Sequence, residues 1–192
     1  CFVTVWKSRP WFVQKSTAKA WYLAAGAVSG VATALDLDKS AQFRGGGSLV
    51  GLWSWTMDGG SGIDDQLVGI SSGADLAVYA GSDPAEADTF QLVGLWNLGS
   101  VPAGRKIATP SGGDLLILTG GGPVPLSNLV PGGQGLGQYT TGKIPNLFNS
   151  MMLARATLTG WSLKIHPEDN TLMVTVPTAA GYATEQLVMS LG

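Results

Sequence analysis

The carboxylates of this chain are numerous enough to be considered as catalytic groups, but their spacing does not favour catalysis. Glycoside cleavage needs two carboxyls about 5 to 10 Å apart across a cleft, one of them in an apolar pocket that raises its pKa. Asp64 and Asp65 are neighbours in sequence, so in a strand they point to opposite sides. The other candidate acids lie near Gly, Pro or Asn, where acidic residues form turns and contact solvent. They are Asp58, Asp83, Glu86, Asp88 and Glu168. We expect structural roles for all of them.

Metal, phosphate and triad chemistry lack the residues that they need. Asp36-Leu-Asp38-Lys-Ser40 has the first spacings of a calcium loop but lacks the Gly at the sixth position and the Glu at the twelfth. The glycine runs 45–47 and 120–122 lack the Lys and Ser or Thr that follow in a phosphate-binding loop. His166 is the only histidine, which leaves a hydrolytic triad without support. The sequence therefore predicts that the chain has no catalytic, cofactor-binding or metal-binding residue, needs no cofactor and is not an enzyme.

A carbohydrate site is the alternative that the residues leave open. Thr56–Ile63 comes near the Asp-box turn of sialidase-type blades, with Ile63 where an aromatic residue is expected. Trp53 and Trp55 share a strand face, which could stack on a sugar or pack in the core or against another subunit; we favour packing. A carbohydrate-binding or glycan-cleaving propeller for host attachment would need a pocket that holds an aromatic ring and two acids.

Composition favours a folded scaffold with little charge. Of 192 residues, 45% are hydrophobic and seven are Trp, enough for a buried core. Only 12% are charged and the net charge is −2, so no basic stripe could read DNA. A single Cys excludes an intrachain disulfide. The uncharged run 20–35 is too short to cross a bilayer, so we expect no membrane span. Because the chain begins with Cys1, we expect an excerpt of a longer protein.

Short apolar strands separated by Gly- and Asp-rich turns predict the fold. Four strands within 49–97 match the size of one blade of a β-propeller, which is built from four-stranded antiparallel sheets. The full set of expected blades covers approximately 1–40, 49–97, 105–130 and 161–191. The first set comprises 2–6, 10–14 and 20–23, followed by a looser connector to Asp38. We therefore expect an all-β chain that is part of one propeller domain, with one short helix.

Two local patterns are sharper than the rest. Trp161, Leu163 and Ile165 alternate with Ser162, Lys164 and His166, and the turn 167–170 precedes Leu172, Val174 and Val176. This pattern predicts a β-hairpin in which Trp161, Leu163, Ile165, Leu172, Val174 and Val176 face the core, while His166 faces solvent. A third strand over 185–191 would leave an open edge.

The range 144–158 instead predicts a helical insertion. Pro145 lies near its start, and five apolar residues recur near helical spacing: Leu147, Met151, Leu153, Ala154 and Leu158.

Several ordered blocks resemble the β-propeller tail nozzle, or packaged-DNA stabilisation, proteins of short-tailed double-stranded DNA phages. The first block consists of residues 53–65 (WSWTMDGGSGIDD) followed by residues 76–90 (LAVYAGSDPAEADTF). Later blocks, in the same order as in that family, are 113–119 with 124–127, and 173–178 with 185–189. The chain departs from the family in lacking a strand just past Gly192 and a long N-terminal part, which fits an excerpt.

This resemblance implies a structural virion protein of the phage tail. It implies a homo-oligomeric ring of six subunits below the portal and tail adaptor, in contact with tail fibre or plug proteins. Such a channel retains packaged DNA and passes it, without sequence-specific binding, during ejection. Few Lys and Arg suit a conduit, because strong phosphate binding would stall the genome.

Overall fold

The protein folds mostly as β-sheet: of the residues that the structure describes, 50% lie in strands and 12% in helices. The computed structural model describes residues 2–58, 63–86, 88–130, 144–179 and 183–191. The chain divides into two compact units, Cys1–Asn97 and Leu98–Gly192.

The first unit contains two four-stranded antiparallel sheets, each a meander of consecutive strands. Sheet 1 is formed by β1 (Phe2–Trp6), β2 (Arg9–Val13), β3 (Lys19–Tyr22) and β4 (Thr33–Asp36). Sheet 2 is formed by β5 (Leu49–Asp58), β6 (Ile63–Ser71), β7 (Asp75–Gly81) and β8 (Phe90–Asn97). Helix α1 (Leu37–Ala41) lies between the sheets in sequence. Lys7 and Ser8 both have positive φ, which closes the tight β1–β2 hairpin with the twist that such turns require.

An aromatic core joins these two sheets. Trp6 lies edge-on to both Trp11 and Phe90, with ring centroids 6.2 and 5.9 Å apart, and Phe90 stacks on Tyr79 at 4.9 Å. Leu37 of α1 is fully buried in the same cluster. Its Cδ2 atom lies 2.7 Å from the place where a Cβ on Gly69 would be, so the helix packs directly on the backbone of β6. Burial of aromatic rings thus holds sheet 1 and sheet 2 together.

The second unit contains two three-stranded antiparallel sheets. Sheet 3 is formed by β9 (Ala108–Ser111), β10 (Asp114–Thr119) and β11 (Gly122–Pro125), followed by helix α2 (Leu126–Leu129). Helix α3 (Pro145–Arg155) precedes sheet 4, which is formed by β12 (Ser162–His166), β13 (Thr171–Pro177) and β14 (Thr184–Ser190). Residues Lys106 and Ser162 form an isolated parallel bridge. Central strand β10 has five consecutive buried residues, as expected for a strand covered on both faces.

The predicted C-terminal hairpin is confirmed. β12 and β13 pair antiparallel from Ser162/Thr175 to His166/Thr171. Trp161, Leu163, Leu172, Val174 and Val176 are buried as predicted, while Ile165 is only half-buried. Asn170 takes the left-handed conformation that the turn requires, with φ of 47°. The period-two pattern therefore predicted both the pairing and most of the buried face.

Two predictions of secondary structure need correction. The connector before Asp38 contains a fourth strand, β4, which completes sheet 1. The described residues also contain three helices where one was expected, because α1 and α2 are present beside α3. These elements have only four or five residues, too few for a periodic pattern to develop.

Helix α3 lies within the predicted range, but it buries different residues from those that suggested it. Phe148 and Met152 are buried, whereas Leu147 is 45% exposed and Leu153 is 91% exposed. Phe148 meets Trp161 edge-on, with ring centroids 6.2 Å apart. The contact with Trp161 thus selects the buried face, and the apolar residues outside it remain in solvent.

The antiparallel all-β architecture is established at the level of four sheets, and each expected blade range contains one of them. The arrangement of these sheets as blades of a propeller stays a prediction.

Candidate functional site

Most of the acids considered from the sequence serve local structure. Asp83 accepts a hydrogen bond from the Ala85 N–H, at 3.0 Å, which forms the turn before Thr89. Asp65 accepts one from the Thr56 hydroxyl at 2.5 Å, across the β5–β6 ladder. Glu86, Asp88 and Glu168 are exposed. Asp58 and Asp64 pair through the backbone with Ile63 and Met57, and their side chains lie outside the described residues. The same holds for residues 59–62 of the stretch that resembles an Asp-box.

The calcium-loop-like segment is divided between a strand and a helix. Asp36 is the last residue of β4 and lies 3.8 Å from the Lys19 ammonium, while Asp38 is exposed in the first turn of α1. No group of three or more His, Cys, Asp or Glu that could hold a metal ion occurs among the described residues. His166 was expected in solvent but is half-buried, and it lies 3.2 Å from the Asp169 carboxylate in the hairpin turn.

The most buried acid of the described chain, Asp75, was not singled out by the sequence. It is 1% exposed at the start of β7. Its Oδ2 atom accepts a hydrogen bond from the Gly45 N–H at 2.5 Å, and Oδ1 accepts one from the Asn97 amide at 2.9 Å. Asp114, at the start of β10, similarly binds the backbone N–H and the hydroxyl of Ser127. Each aspartate ties a neighbouring segment to a strand.

Arg9 and Asp83 form the shortest ion pair of the described residues, beside Tyr22 of the aromatic core of the first unit. Arg9 Nη2 lies 2.6 Å from Asp83 Oδ2, with the side chains 12% and 35% exposed. The guanidinium lies 5.9 Å from the ring centroid of Tyr22. Burial, and next the nearby Asp83 carboxylate, raise the pKa of the Tyr22 phenol, although Arg9 opposes this. These contacts stabilise the fold, and the buried cation is already neutralised.

The tryptophans are mainly core residues. Trp53 and Trp55 are buried, and Trp53 meets Phe2 edge-on with centroids 5.0 Å apart. A shared face was predicted correctly, but neither ring is free to stack on a sugar. Trp96 is half-buried, and Trp21 is 37% exposed, with its indole N–H donating to the Gln14 side chain at 2.8 Å.

A cleft in the first unit, here called the polar cleft, gathers charged and polar groups. Its volume is about 450 Å³. Lining residues include Lys7, Asp65, Gln66, Ala80, Gly81 and Ser82. The Gln66 Oε1 atom is buried and has no hydrogen-bond partner among the described residues. We take this cleft as the candidate ligand site. No local sequence pattern predicted it, because its residues come from four separate segments of the chain.

A second cleft, in the second unit, is lined mainly by α3 and two loops. Its volume is about 440 Å³, and its lining includes Ser100, Gly120, Asn149, Met152 and Leu153. A Cβ on Gly120 would collide with the Ser100 hydroxyl, so the two loops approach each other closely. None of the described residues that line this cleft has an ionisable side chain.

Neither cleft has the lining that a sugar site of the expected kind needs, which is an aromatic ring and two acids. Within the described part of the chain, no helix is both long and apolar enough to cross a membrane. Comparison with protein-family models and with curated proteins gives no match for this sequence.

Proposed function

We propose that this chain is part of the tail nozzle of a short-tailed double-stranded DNA phage. In this proposal it is a structural virion protein and not an enzyme. Six copies form a ring below the portal and tail adaptor, in contact with tail fibre or plug proteins. The ring retains the packaged genome and passes it during ejection.

The observation that carries the proposal is the strand order. Each of the four sheets consists of consecutive strands in an up-and-down antiparallel meander. This is the construction of propeller blades. It supports the resemblance of the ordered sequence blocks to nozzle propellers, because those blocks span the turns and strands of sheets 2, 3 and 4.

The chemistry of the surface supports a passive role. Eleven Lys and Arg in 192 residues, with a net charge of −2, give DNA few cations to bind. Each phosphate contact strengthens non-specific binding through counterion release. A channel whose wall bound phosphates tightly would hold the genome in place, so this composition suits passage.

An exposed apolar face on sheet 1 supports assembly. Val3 is opposite Phe12, and Phe12 is opposite Trp21, so the three share the face that points away from the aromatic core. Val3 and Val5 are 56% and 65% exposed. Contiguous exposed apolar surface is characteristic of contact sites between proteins.

Electron microscopy of the purified protein, with mass photometry, tests the proposal. We expect closed rings of six copies with a continuous axial channel wide enough for duplex DNA. A monomer that binds or hydrolyses a glycan would refute the proposal and support the carbohydrate alternative.

A charged substitution tests the role of sheet 1. Val5→Lys should lower the population of rings, because it places an ammonium on the apolar face. Thr157→Lys, at an exposed position outside the sheets, is the matched control and should leave the rings unchanged. Equal assembly of both variants would show that this face is not a subunit contact.

A further inference from the structure

The polar cleft lies where two strands of sheet 2 separate. The β6–β7 ladder ends at the pair Leu67/Tyr79. Strand β6 continues to pair with β5 as far as Ile63, and β7 continues to pair with β8 as far as Gly81. Asp65 and Gln66 would point to opposite faces of a regular strand, yet both line the cleft. The cleft is therefore a gap between the strands, fixed by the outer ladder on each side.

Gly81 maintains the gap. Its φ is +129°, a conformation that residues with side chains rarely adopt, and a Cβ there would collide with the Thr89 carbonyl oxygen. The Ser82 N–H donates to that same oxygen at 3.1 Å, which fixes the wall of the cleft. The cleft is thus built into the backbone and does not depend on side-chain rotamers alone.

Opposite charges line this gap without neutralising each other. Lys7 and Asp65 are both half-buried, and no ion pair of the described residues includes either of them. The Lys7 ammonium lies 6.0 Å from the Trp6 ring centroid. One oxygen of Asp65 accepts the Thr56 hydroxyl, which orients the carboxylate. A ligand that carried both charges could satisfy the two groups together.

Gln66 belongs to the wall of the gap and is not a ligand contact. Its Oε1 atom is buried and has no hydrogen-bond partner among the described residues, so an ammonium in the cleft could not reach it. The Asp65 carboxylate is the acceptor that the cleft offers to a ligand ammonium with its several N–H donors.

We propose that the polar cleft binds a small zwitterion of amino-acid size, whose carboxylate pairs with Lys7 and whose ammonium pairs with Asp65. A cavity of about 450 Å³ is large enough for such a molecule. A metal ion fits less well, because the lining offers one carboxylate beside a lysine ammonium. A sugar also fits less well, because the lining offers no aromatic ring. This proposal is independent of the ring proposal.

Binding can be measured by NMR titration of the ¹⁵N-labelled full chain. Glycine, β-alanine and γ-aminobutyrate are zwitterions of increasing charge separation, and acetate, methylamine and glucose are the single-charge and neutral controls. At about 10 mM, which is sufficient to detect a millimolar Kd, we expect one or more zwitterions to shift the amide signals of Asp65, Gln66 and Gly81. The three controls should leave those signals unchanged.

Two substitutions test the charges separately. Lys7→Met and Asp65→Asn should each weaken zwitterion binding at least about tenfold, or about 1.4 kcal/mol. Asn keeps the acceptor for Thr56, so the fold should persist, and unchanged amide spectra elsewhere would show it. Lys164→Met, at an exposed lysine of β12, is the matched control and should bind like the parent.

Four outcomes would overturn the proposal. Acetate binding as well as the zwitterions would indicate a simple anion site, and glucose binding would indicate a polyol site. Absence of shifts with all three zwitterions, or unchanged affinity in both folded cleft variants, would show that the gap is not a zwitterion site.

Discussion

At the scale of single residues, the Arg9–Asp83 pair and the Arg155–Glu185 pair share their chemistry but differ in burial. Their N···O distances are 2.6 and 2.8 Å. Arg9 is largely buried against Tyr22, whereas Arg155 and Glu185 are 28% and 48% exposed. A buried cation that loses its partner cannot be fully rehydrated, but an exposed one can.

We predict that Asp83→Asn lowers the free energy of unfolding by about 2 kcal/mol, because it leaves the Arg9 cation without a counterion. Asn preserves the acceptor for the Ala85 N–H. Glu185→Gln is the control and should cost less than about 1 kcal/mol, as for exposed pairs. Urea unfolding at pH 7 measures both, and equal losses would contradict the assigned role of burial.

The Tyr79 phenol connects burial to alkaline stability. Burial raises its pKa, and the hydrogen bond with Ser40, at 2.6 Å, partly opposes the increase. Above pH 10 the unfolded chain releases this proton while the folded chain keeps it, so the free energy of unfolding falls as pH rises. The loss continues until pH reaches the raised folded pKa.

We predict that Tyr79→Phe flattens this decline above pH 10, at a cost of about 1 kcal/mol at pH 7 for the lost hydrogen bond. Ser40→Ala is the matched control: it removes the hydrogen bond but keeps the phenol, so the decline should remain. Urea unfolding between pH 7 and pH 11 measures the slope. Parallel slopes in the parent and Tyr79→Phe would refute the assignment.

At the scale of the elements, two glycines with positive φ differ in their surroundings. Gly113, in the β9–β10 turn with φ of 85°, has nothing within 4 Å of the place where a Cβ would be. Gly81, at the end of β7, has the Thr89 carbonyl there. An alanine would strain the backbone at both positions, but its Cβ would collide with a neighbouring atom only at Gly81.

We predict that Gly113→Ala costs about 1 to 2 kcal/mol, the strain of a positive φ, and that Gly81→Ala costs at least twice as much. The extra loss arises because β7 must move away from the 82–89 loop. Thermal and urea unfolding of the two variants measure the difference. A smaller loss in Gly81→Ala would mean that the loop yields easily.

Whether an element could be predicted from sequence depended on its length and on its surroundings. The β12–β13 hairpin has a long alternating pattern and a turn with Asn170, so local residues suffice. β4 has no such pattern: its residues are exposed or half-buried, and it exists because its backbone pairs with β3. Helix α3 was expected, but its buried face was fixed by Trp161, which lies outside the helix.

At the scale of the whole molecule, charge governs the interaction with DNA. We predict that the protein binds duplex DNA more weakly at physiological salt than proteins with non-specific sites, whose Kd is about 10⁻⁴ to 10⁻⁶ M. The reason is the small number of cations and the net charge of −2. Fluorescence anisotropy with a labelled duplex, at low and physiological salt, measures this. Micromolar binding at physiological salt would contradict the proposed passive channel.

The sequence by itself determined the antiparallel β class, the position of most strands and the shortage of charge. These are local or additive properties, because alternation, turn residues and composition act within a few residues or as sums. Only the tertiary structure decided which polar groups meet. Asp75 binds Gly45 across 30 residues and Arg9 binds Asp83 across 74, and the polar cleft combines β6 and β7 with the turn at Lys7. Such contacts follow from strand register and sheet packing, which short-range patterns do not encode.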